Sequence, residues 1–572
     1  MQRYSCGARA LVLACSLLFG CGGGGGGSSD TGTSTSSGGT ASSSGGSTGT
    51  TANASTPVVK AANLSSASIV ADAAQDVSDT GGDDLAAARG LFRSASYPES
   101  NGGLQSSGTL LNSIGTTYSR TINAEDTSYL DGSGTFFPSN RIQWNLDWIQ
   151  RYAYNAHVIV GQKQPGFIAT PASQWSADQW SVYEDYATKF VRYVAVQYNN
   201  SGFAETLFEV GNEIDITQDV RDLWTMANPA VPQGEEGRYQ HYMRVYPVWA
   251  RAVARVASEN PGRTIRIAGP ALGGQSLFLT ATFWHERFIT DVATNHLRLD
   301  MVTQHFYGDV LNGWANVPGS NLRAQLQRIR RALVANGMAS VPIAITEYGP
   351  SEGSDAVFGH INYSHESAAW AATFVREALA GTATAGSYLL VRDNSGANTT
   401  GSPTIPSLTH IRDGIDYPKP VLNAFRMFTM LPGVRKAVTL PAQQPNVQAF
   451  AAADVAGAGL LAYNYNFRFN WPSDFTDLTV AETVAPGFVN LAFNGSVSVE
   501  RYLIDRSTSN IARYLDAGSA PDYNGSMLTL VERCSATVSG GSLVLPPKVL
   551  SPSAVSLWLV RSGADAGLPA CQ

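Results

Sequence analysis

The sequence predicts a (β/α)8 barrel followed by a C-terminal β-sandwich. Short apolar runs alternate with amphipathic helical stretches about eight times between residues 90 and 431, which implies a parallel sheet covered by helices. From residue 434 onward short alternating strands dominate, separated by Gly, Asn and Pro, the pattern of a sandwich. An open doubly wound sheet is the rival to the barrel. It requires a glycine-rich dinucleotide turn after the first strand, and none is present.

The N-terminus, MQRYSCGARALVLACSLLFGC, carries two arginines and then an apolar stretch too short to span a bilayer, so residues 1–20 read as a secretory signal. Leu18-Phe19-Gly20-Cys21 resembles the bacterial lipobox, which makes Cys21 the expected lipidated residue. Residues 21–56 are almost entirely Gly, Ser and Thr, a flexible tether reaching roughly 30 Å by coil statistics. The expected product is an outer-membrane lipoprotein, at the cell surface or in the periplasm, attached to the membrane by its lipid alone. The barrel is assigned to residues 57–433 and the sandwich to 434–572.

Of 572 residues, 45 are acidic and 38 basic, spread without long runs for a net charge of −7. Nothing in this distribution points to nucleic acid, and a charged fraction of only 15% suits a neutral polar ligand. A monomer is expected. Export disposes of Cys6 and Cys15, and lipidation of Cys21. Cys534 and Cys571 remain, read as a disulfide stabilising by about 3–4 kcal/mol through loop-closure entropy.

The barrel strands are assigned to residues 90–96, 117–123, 156–162, 206–212, 265–271, 301–307, 342–348 and 386–392. Helices are assigned to 176–198, opening on a Ser cap, and to 238–258, 321–337, 365–381 and 420–431, each with apolar residues at helical spacing. In the sandwich, VQAFAAAD, GLLAYNYNF, VSVERYLID, GSLVLPP and AVSLWLV read as strands.

The stretch TLFEVGNEIDI, residues 206–216, is a short apolar strand that stops at Asn212-Glu213, two groups that resist burial. In a barrel the C-terminal strand ends open onto the active site. A second carboxylate, Glu347, ends the seventh strand in VPIAITEYGP. Two carboxyl groups facing each other across the mouth are what glycoside hydrolysis requires, one protonated for the departing oxygen and one ionised. Burial and mutual charge are expected to raise one pKa above the other. Asn212 supplies a neutral hydrogen bond to a sugar hydroxyl.

This pair resembles clan A glycoside hydrolases, in which Asn-Glu ends strand four and another Glu ends strand seven. Within the clan the chain is most similar to glycoside hydrolase family 39, on DMVTQHFYGD (300–309), RYLIDRSTSN (501–510) and GSLVLPPKVLSPSAVSLWLV (541–560). The resemblance covers roughly 85–562. It implies Glu213 as acid/base, Glu347 as nucleophile, retention of anomeric configuration and carboxyl groups about 5–5.5 Å apart. By the same resemblance His305 and Tyr307 line the sugar subsite, and Arg120, ending the second strand, supports Glu347. Many clan A enzymes present a Trp on strand eight, and here the stretch is GSYLLVRDNSG. Tyr388 is the expected substitute, Tyr348 a further subsite residue, and Arg392 a cation for an acidic sugar. Trp144, Trp148, Trp175 and Trp224 are candidate stacking platforms, read chiefly as core.

No cofactor or metal is implied. His285-Glu286 and His365-Glu366 lack the second His of a zinc helix, with Ile289 and Ala369 in its place. GPSEG (349–353) fits a nucleophile elbow, but a loop-like stretch follows Ser351 where a helix is needed. Two readings stand beside hydrolysis: a polysaccharide-binding lipoprotein with little turnover, and a transglycosylase using the same two glutamates.

Overall fold

Eight parallel strands close into a ring in the computed structural model, which describes residues 68–572 apart from 97–104, 122–127, 152–154, 163, 169, 171, 199–202, 216–234, 274–282, 314–316, 352–357, 394–399, 471–473 and 564–566. The segments read as signal and tether, Cys21 and Trp224 therefore lie outside the described residues. The ring strands are β1 (Ser94–Ser96), β2 (Tyr118–Thr121), β3 (Asn155–Val160), β4 (Glu205–Val210), β5 (Thr264–Leu272), β6 (Met301–Tyr307), β7 (Ile343–Gly349) and β8 (Ala383–Tyr388). Every neighbouring pair is parallel, and β8 closes on β1.

The helices sit where their caps and periodicity put them. Ser176 accepts from the Gln179 backbone N–H at 3.3 Å, and the Gln179 side chain accepts from Ser176 N–H at 2.9 Å. This reciprocal cap starts the helix Ala177–Arg192. Asn321 caps Leu322–Ala335 with its side-chain oxygen alone, which accepts from Ala324 N–H at 2.9 Å. Glu235–Glu259, Glu366–Ala380 and Pro420–Met430 complete the set anticipated from sequence. Their apolar faces and the outward side chains of the strands form one continuous core.

The barrel interior is built differently. Its floor is a small cluster of Leu207, Ala268, Met301 and Ala344, with Ala385 against it. Such interiors are usually filled by layers of branched aliphatics. Above this floor the chain instead places Arg120, His157, Glu209, Thr303 and Thr346, all buried. A bulge in β7 makes this layer possible. The register against β6 shifts between Ile345 and Glu347, so the consecutive Thr346 and Glu347 both reach inward-facing partners.

Two sequence assignments move. Of the predicted strand 386–392, only the part up to Tyr388 joins the ring. Leu390–Arg392 leaves it to pair with Ser407–Arg412, which in turn pairs with Ile415–Pro418. The second change concerns residues 57–433, assigned to the barrel. Ser68–Asp76 lies in the sandwich, antiparallel to Val434–Thr439 and parallel to Glu482–Val489. Its parallel partner is more than 400 residues away, and no local signal marks such a pairing.

The sandwich sheet has ten strands and runs from Thr529–Val538 at one end to Leu543–Val544 at the other. Val499 and Cys534 from one end share a buried cluster with Val484, Phe488 and Leu543 from the other, so the sheet folds over its own core. Cys534 is disulfide-bonded to Cys571, with Cα atoms 4.9 Å apart. Near the junction of the two parts, Arg435 donates to Asp79 at 2.6 Å and to the buried Asp84 at 2.7 Å. Among the described residues no helix is long and apolar enough to cross a membrane.

Candidate active site

β4 ends at Val210, and the chain must then turn inward over the barrel mouth. Gly211 provides the turn with φ +85°, a conformation costly for other residues. Glu213 itself adopts φ +48°, and its backbone N–H donates to Ala271 O at 2.8 Å, one residue before the end of β5. A left-handed non-glycine residue is a strained one, and here the strain falls on a carboxylate at the mouth.

Arg120 is the hub. Fully buried, it spreads its donors over three oxygen acceptors, on β4, on β7 and in the turn after β4. Nε donates to Glu209 Oε2 at 2.7 Å, Nη1 to Glu347 Oε2 at 2.9 Å, and Nη2 to Asn212 Oδ1 at 2.8 Å. Nη2 also faces His305 Nε2 at 3.2 Å. With its oxygen taken by Arg120, Asn212 presents an amide NH2 as its remaining polar group, the donor a sugar hydroxyl oxygen needs.

The second oxygen of Glu347 accepts from the Tyr307 hydroxyl at 2.6 Å. Glu347 thus receives one charged and one neutral donor. His305 bridges to the other carboxylate, with Nδ1 2.8 Å from Glu213 Oε1. Burial, the largest influence, pushes His305 down to about 4, against the upward pull of Glu347, so the ring is neutral near pH 7. A guanidinium only donates, which makes Nε2 the acceptor and leaves the proton on Nδ1. His305 therefore donates to Glu213.

One oxygen each from Glu213 and Glu347 and a ring nitrogen of His305 lie within 4.8 Å of one another, a grouping that invites a metal ion. The tautomer argues against it. The His305 nitrogen facing the two carboxylates bears a proton, and exchanging it would set an N–H against Arg120. The donor set fits a proton-transfer site better than a metal centre.

Beneath these groups Glu209 is fully buried and accepts from three donors: Arg120, Thr346 Oγ1 at 2.6 Å and His157 Nε2 at 3.2 Å. Burial alone would raise its pKa, but Arg120 and then His157 hold it well below the carboxylate range. Burial in turn pushes His157 down, partly offset by Glu209. Neither Glu209 nor His157 was singled out from sequence. The signal was present, because each is the lone polar residue inside an otherwise apolar strand run, TLFEVGN and AHVIVGQ.

Glu213, Glu347, Asn212, His305, Tyr307 and Arg120 come together, and three sequence expectations do not. Tyr348 faces outward from β7, with its ring stacked on Phe374 at 4.1 Å and its hydroxyl donating to Leu91 O at 2.7 Å. Tyr388 is equally buried and packs edge-on against Tyr348 and Phe425. Both are core aromatics, because successive strand residues point to opposite faces. Arg392 is buried and forked onto Asp416 at 2.7 and 2.5 Å. That pairing commits its charge to the loop's own structure. Trp148 and Trp175 are core residues, and Trp144 lies exposed on the helix Asn140–Arg151.

The sequence matches no family model, nor does any curated protein match it. Solved structures do. A monomeric β-xylosidase from Caulobacter crescentus superposes with a TM-score of 0.63 at 19% identity, over 87% of this chain and 99% of the other. The GH39 enzyme from Xanthomonas axonopodis pv. citri gives 0.65 at 17% identity, over 88% and 99%. This chain has the fold of the GH39 enzymes. A glucosidase from Croceicoccus marinus shares it, with a TM-score of 0.58 at 15% identity over 87% and 99%. The barrel and the sandwich are both included in these superpositions, since 87–88% of this chain is covered.

Proposed function

We propose that the protein is a retaining glycoside hydrolase acting on a neutral sugar, with Glu347 as nucleophile and Glu213 as acid/base. The observation that carries the reading is the pair itself: two carboxylates at the ends of β4 and β7, with oxygens within 4.8 Å. That closeness suits the short carboxyl separation of retaining enzymes, in which one carboxylate attacks the anomeric carbon directly. The fold shared with a β-xylosidase and a glucosidase supports the same reading.

In the first step a Glu347 oxygen bonds to the anomeric carbon as the glycosidic C–O bond breaks, and Glu213 passes its proton to the departing oxygen. In the second step Glu213 takes a proton from water, whose oxygen displaces Glu347 and regenerates the free sugar. Arg120 and Tyr307 hold Glu347 in place. The His305 Nδ1–H supports Glu213 whenever it is ionised. Asn212 Nδ2 is placed to hydrogen-bond a substrate hydroxyl. An acidic sugar needs a counter-cation, and Arg392, the residue proposed for it on sequence grounds, is bound to Asp416.

The test is release of reducing ends from a panel of oligo- and polysaccharides by residues 57–572, alongside Glu213→Gln and Glu347→Gln. Loss of turnover in both variants supports the two-glutamate mechanism. Binding that survives both substitutions, with no release from any substrate, makes the chain a binding protein.

A further inference from the structure

The layer below the reacting carboxylates holds an ion pair that the two-step mechanism does not use. Arg120 carries one positive charge and contacts two carboxylates, Glu347 above it and Glu209 below. The side chains of Arg120 and Glu209 are wholly inaccessible, and that of Glu347 is 10% exposed. At such sites the interaction between charges is barely screened, so whatever Glu209 does to Arg120 is felt at Glu347. We propose that Glu209 is a positioning residue for the reaction: it shares the Arg120 cation with Glu347 and thereby sets how basic the attacking carboxylate is. This inference rests on Glu347 being the nucleophile.

Among the described residues, the groups that face this pair come from four strands and the turn after β4. Against Glu347 stand Arg120 from β2, Glu213 from the turn after β4, and His305 and Tyr307 from β6. Against Glu209 stand Arg120, His157 from β3 and Thr346 from β7, with His305 contributing at longer range. His157 and His305 are held neutral by burial. Among the described residues, the formal charges in the cluster are therefore those of Arg120, Glu209, Glu347 and, when ionised, Glu213.

A lone guanidinium against Glu347 would overstabilise its anion, and a carboxylate held too tightly is a weak nucleophile. Glu209 takes the Nε side of the guanidinium, draws part of the attraction to itself, and fixes the ring of donors that Nη1 and Nη2 aim upward. Thr346 and His157 act one step further back. Each gives Glu209 a hydrogen bond, which moderates its own pull on Arg120.

The arrangement predicts pH shifts of opposite sign in two variants. The readout is the acidic limb of kcat/KM, which reports ionisation of the nucleophile in the free enzyme. The probes are 4-nitrophenyl β-D-xyloside and β-D-glucoside. Glu209→Gln keeps the shape and removes the charge, so the limb should move down by about one pH unit, with kcat about tenfold lower and KM little changed. Thr346→Val removes one donor from Glu209 and frees its charge for Arg120. The limb should then move up by roughly half a unit.

A merely structural Glu209 would leave the limb in place and lose activity in step with folded protein, measured by circular dichroism. An unmoved limb in folded Glu209→Gln overturns the proposal. Should that variant not fold, an unmoved or lowered limb in Thr346→Val overturns it instead. Glu347→Gln on the same glycosides separates this from the underlying reading, because turnover surviving there removes Glu347 as nucleophile altogether.

Discussion

Tyr307 donates its hydroxyl proton to Glu347 Oε1 at 2.6 Å, on the side of the carboxylate that Arg120 does not occupy. Two strands thus fix the proposed nucleophile from opposite sides, Tyr307 from β6 and Arg120 from β2. A hydrogen bond to a charged group contributes about 1.5–3 kcal/mol. Tyr307→Phe should therefore lower kcat by roughly 10- to 100-fold. It also removes a donor to the ionised form, so the acidic limb of the pH–rate profile should move up. Steady-state kinetics across pH checks both effects.

Tyr348 and Tyr388 give the opposite expectation, since both face the helices. The Tyr388 hydroxyl is buried without a hydrogen-bond partner, so Tyr388→Phe should be neutral or slightly stabilising. Tyr348→Phe gives up the bond to Leu91 O and should cost about 1 kcal/mol. Neither should change kcat/KM. Denaturant unfolding and kinetics on the same preparations test the pair, and a tenfold activity loss in either would return it to the substrate site.

Arg392 tests the commitment of charge in the loop after β8. Arg392→Ala removes the guanidinium from the buried Asp416, and breaking a buried ion pair costs about 3–5 kcal/mol. The double variant Arg392→Met/Asp416→Leu should recover most of that, since it removes both charges together. The ratio of activities on neutral and uronic glycosides should be unchanged in the double variant. A selective loss on uronic glycosides would show that Arg392 meets substrate after all.

Four buried histidines set the acid stability. Burial pushes His241, His285 and His305 down to about 4 and lowers His157 as well, against an ordinary value of 6.5. Between these values the unfolded chain binds protons that the folded chain refuses. Folding stability therefore rises with pH across this window. It is fully present above about 6.5 and lost progressively as pH falls towards 4. Thermal melts from pH 7 to pH 4 should show a falling Tm, and His285→Gln, outside the site, should flatten the slope.

Much of this was legible in the sequence because it is local. The Ser176–Gln179 cap, the period of Leu322–Ala335, and the eight apolar runs that became the ring are all written within a few residues of where they act. Asn212, Glu213 and Glu347 were legible because polar groups at the ends of buried strands have few structural uses. Glu209 and His157 carried a similar signal, a polar residue inside a strand run, but their partners lie on other strands. A carboxylate mid-strand is interpretable only when its cation is known.

The sequence by itself determined the strand–helix alternation, the change to sandwich strands after residue 434 and the two carboxylates at strand ends. Each follows from propensity, capping and periodicity within one segment. Tertiary structure alone decided which face each strand residue occupies. Parallel strands buried on both sides read as continuous apolar runs, so nothing local separates the inward Glu347 from the outward Tyr348. The ring closure that makes Arg120 the partner of Glu209 and Glu347, the pairing of Ser68–Asp76 with Glu482–Val489 and the fork of Arg392 onto Asp416 belong to the same class. These contacts join segments distant in the chain, and their energy exists only once the barrel has closed.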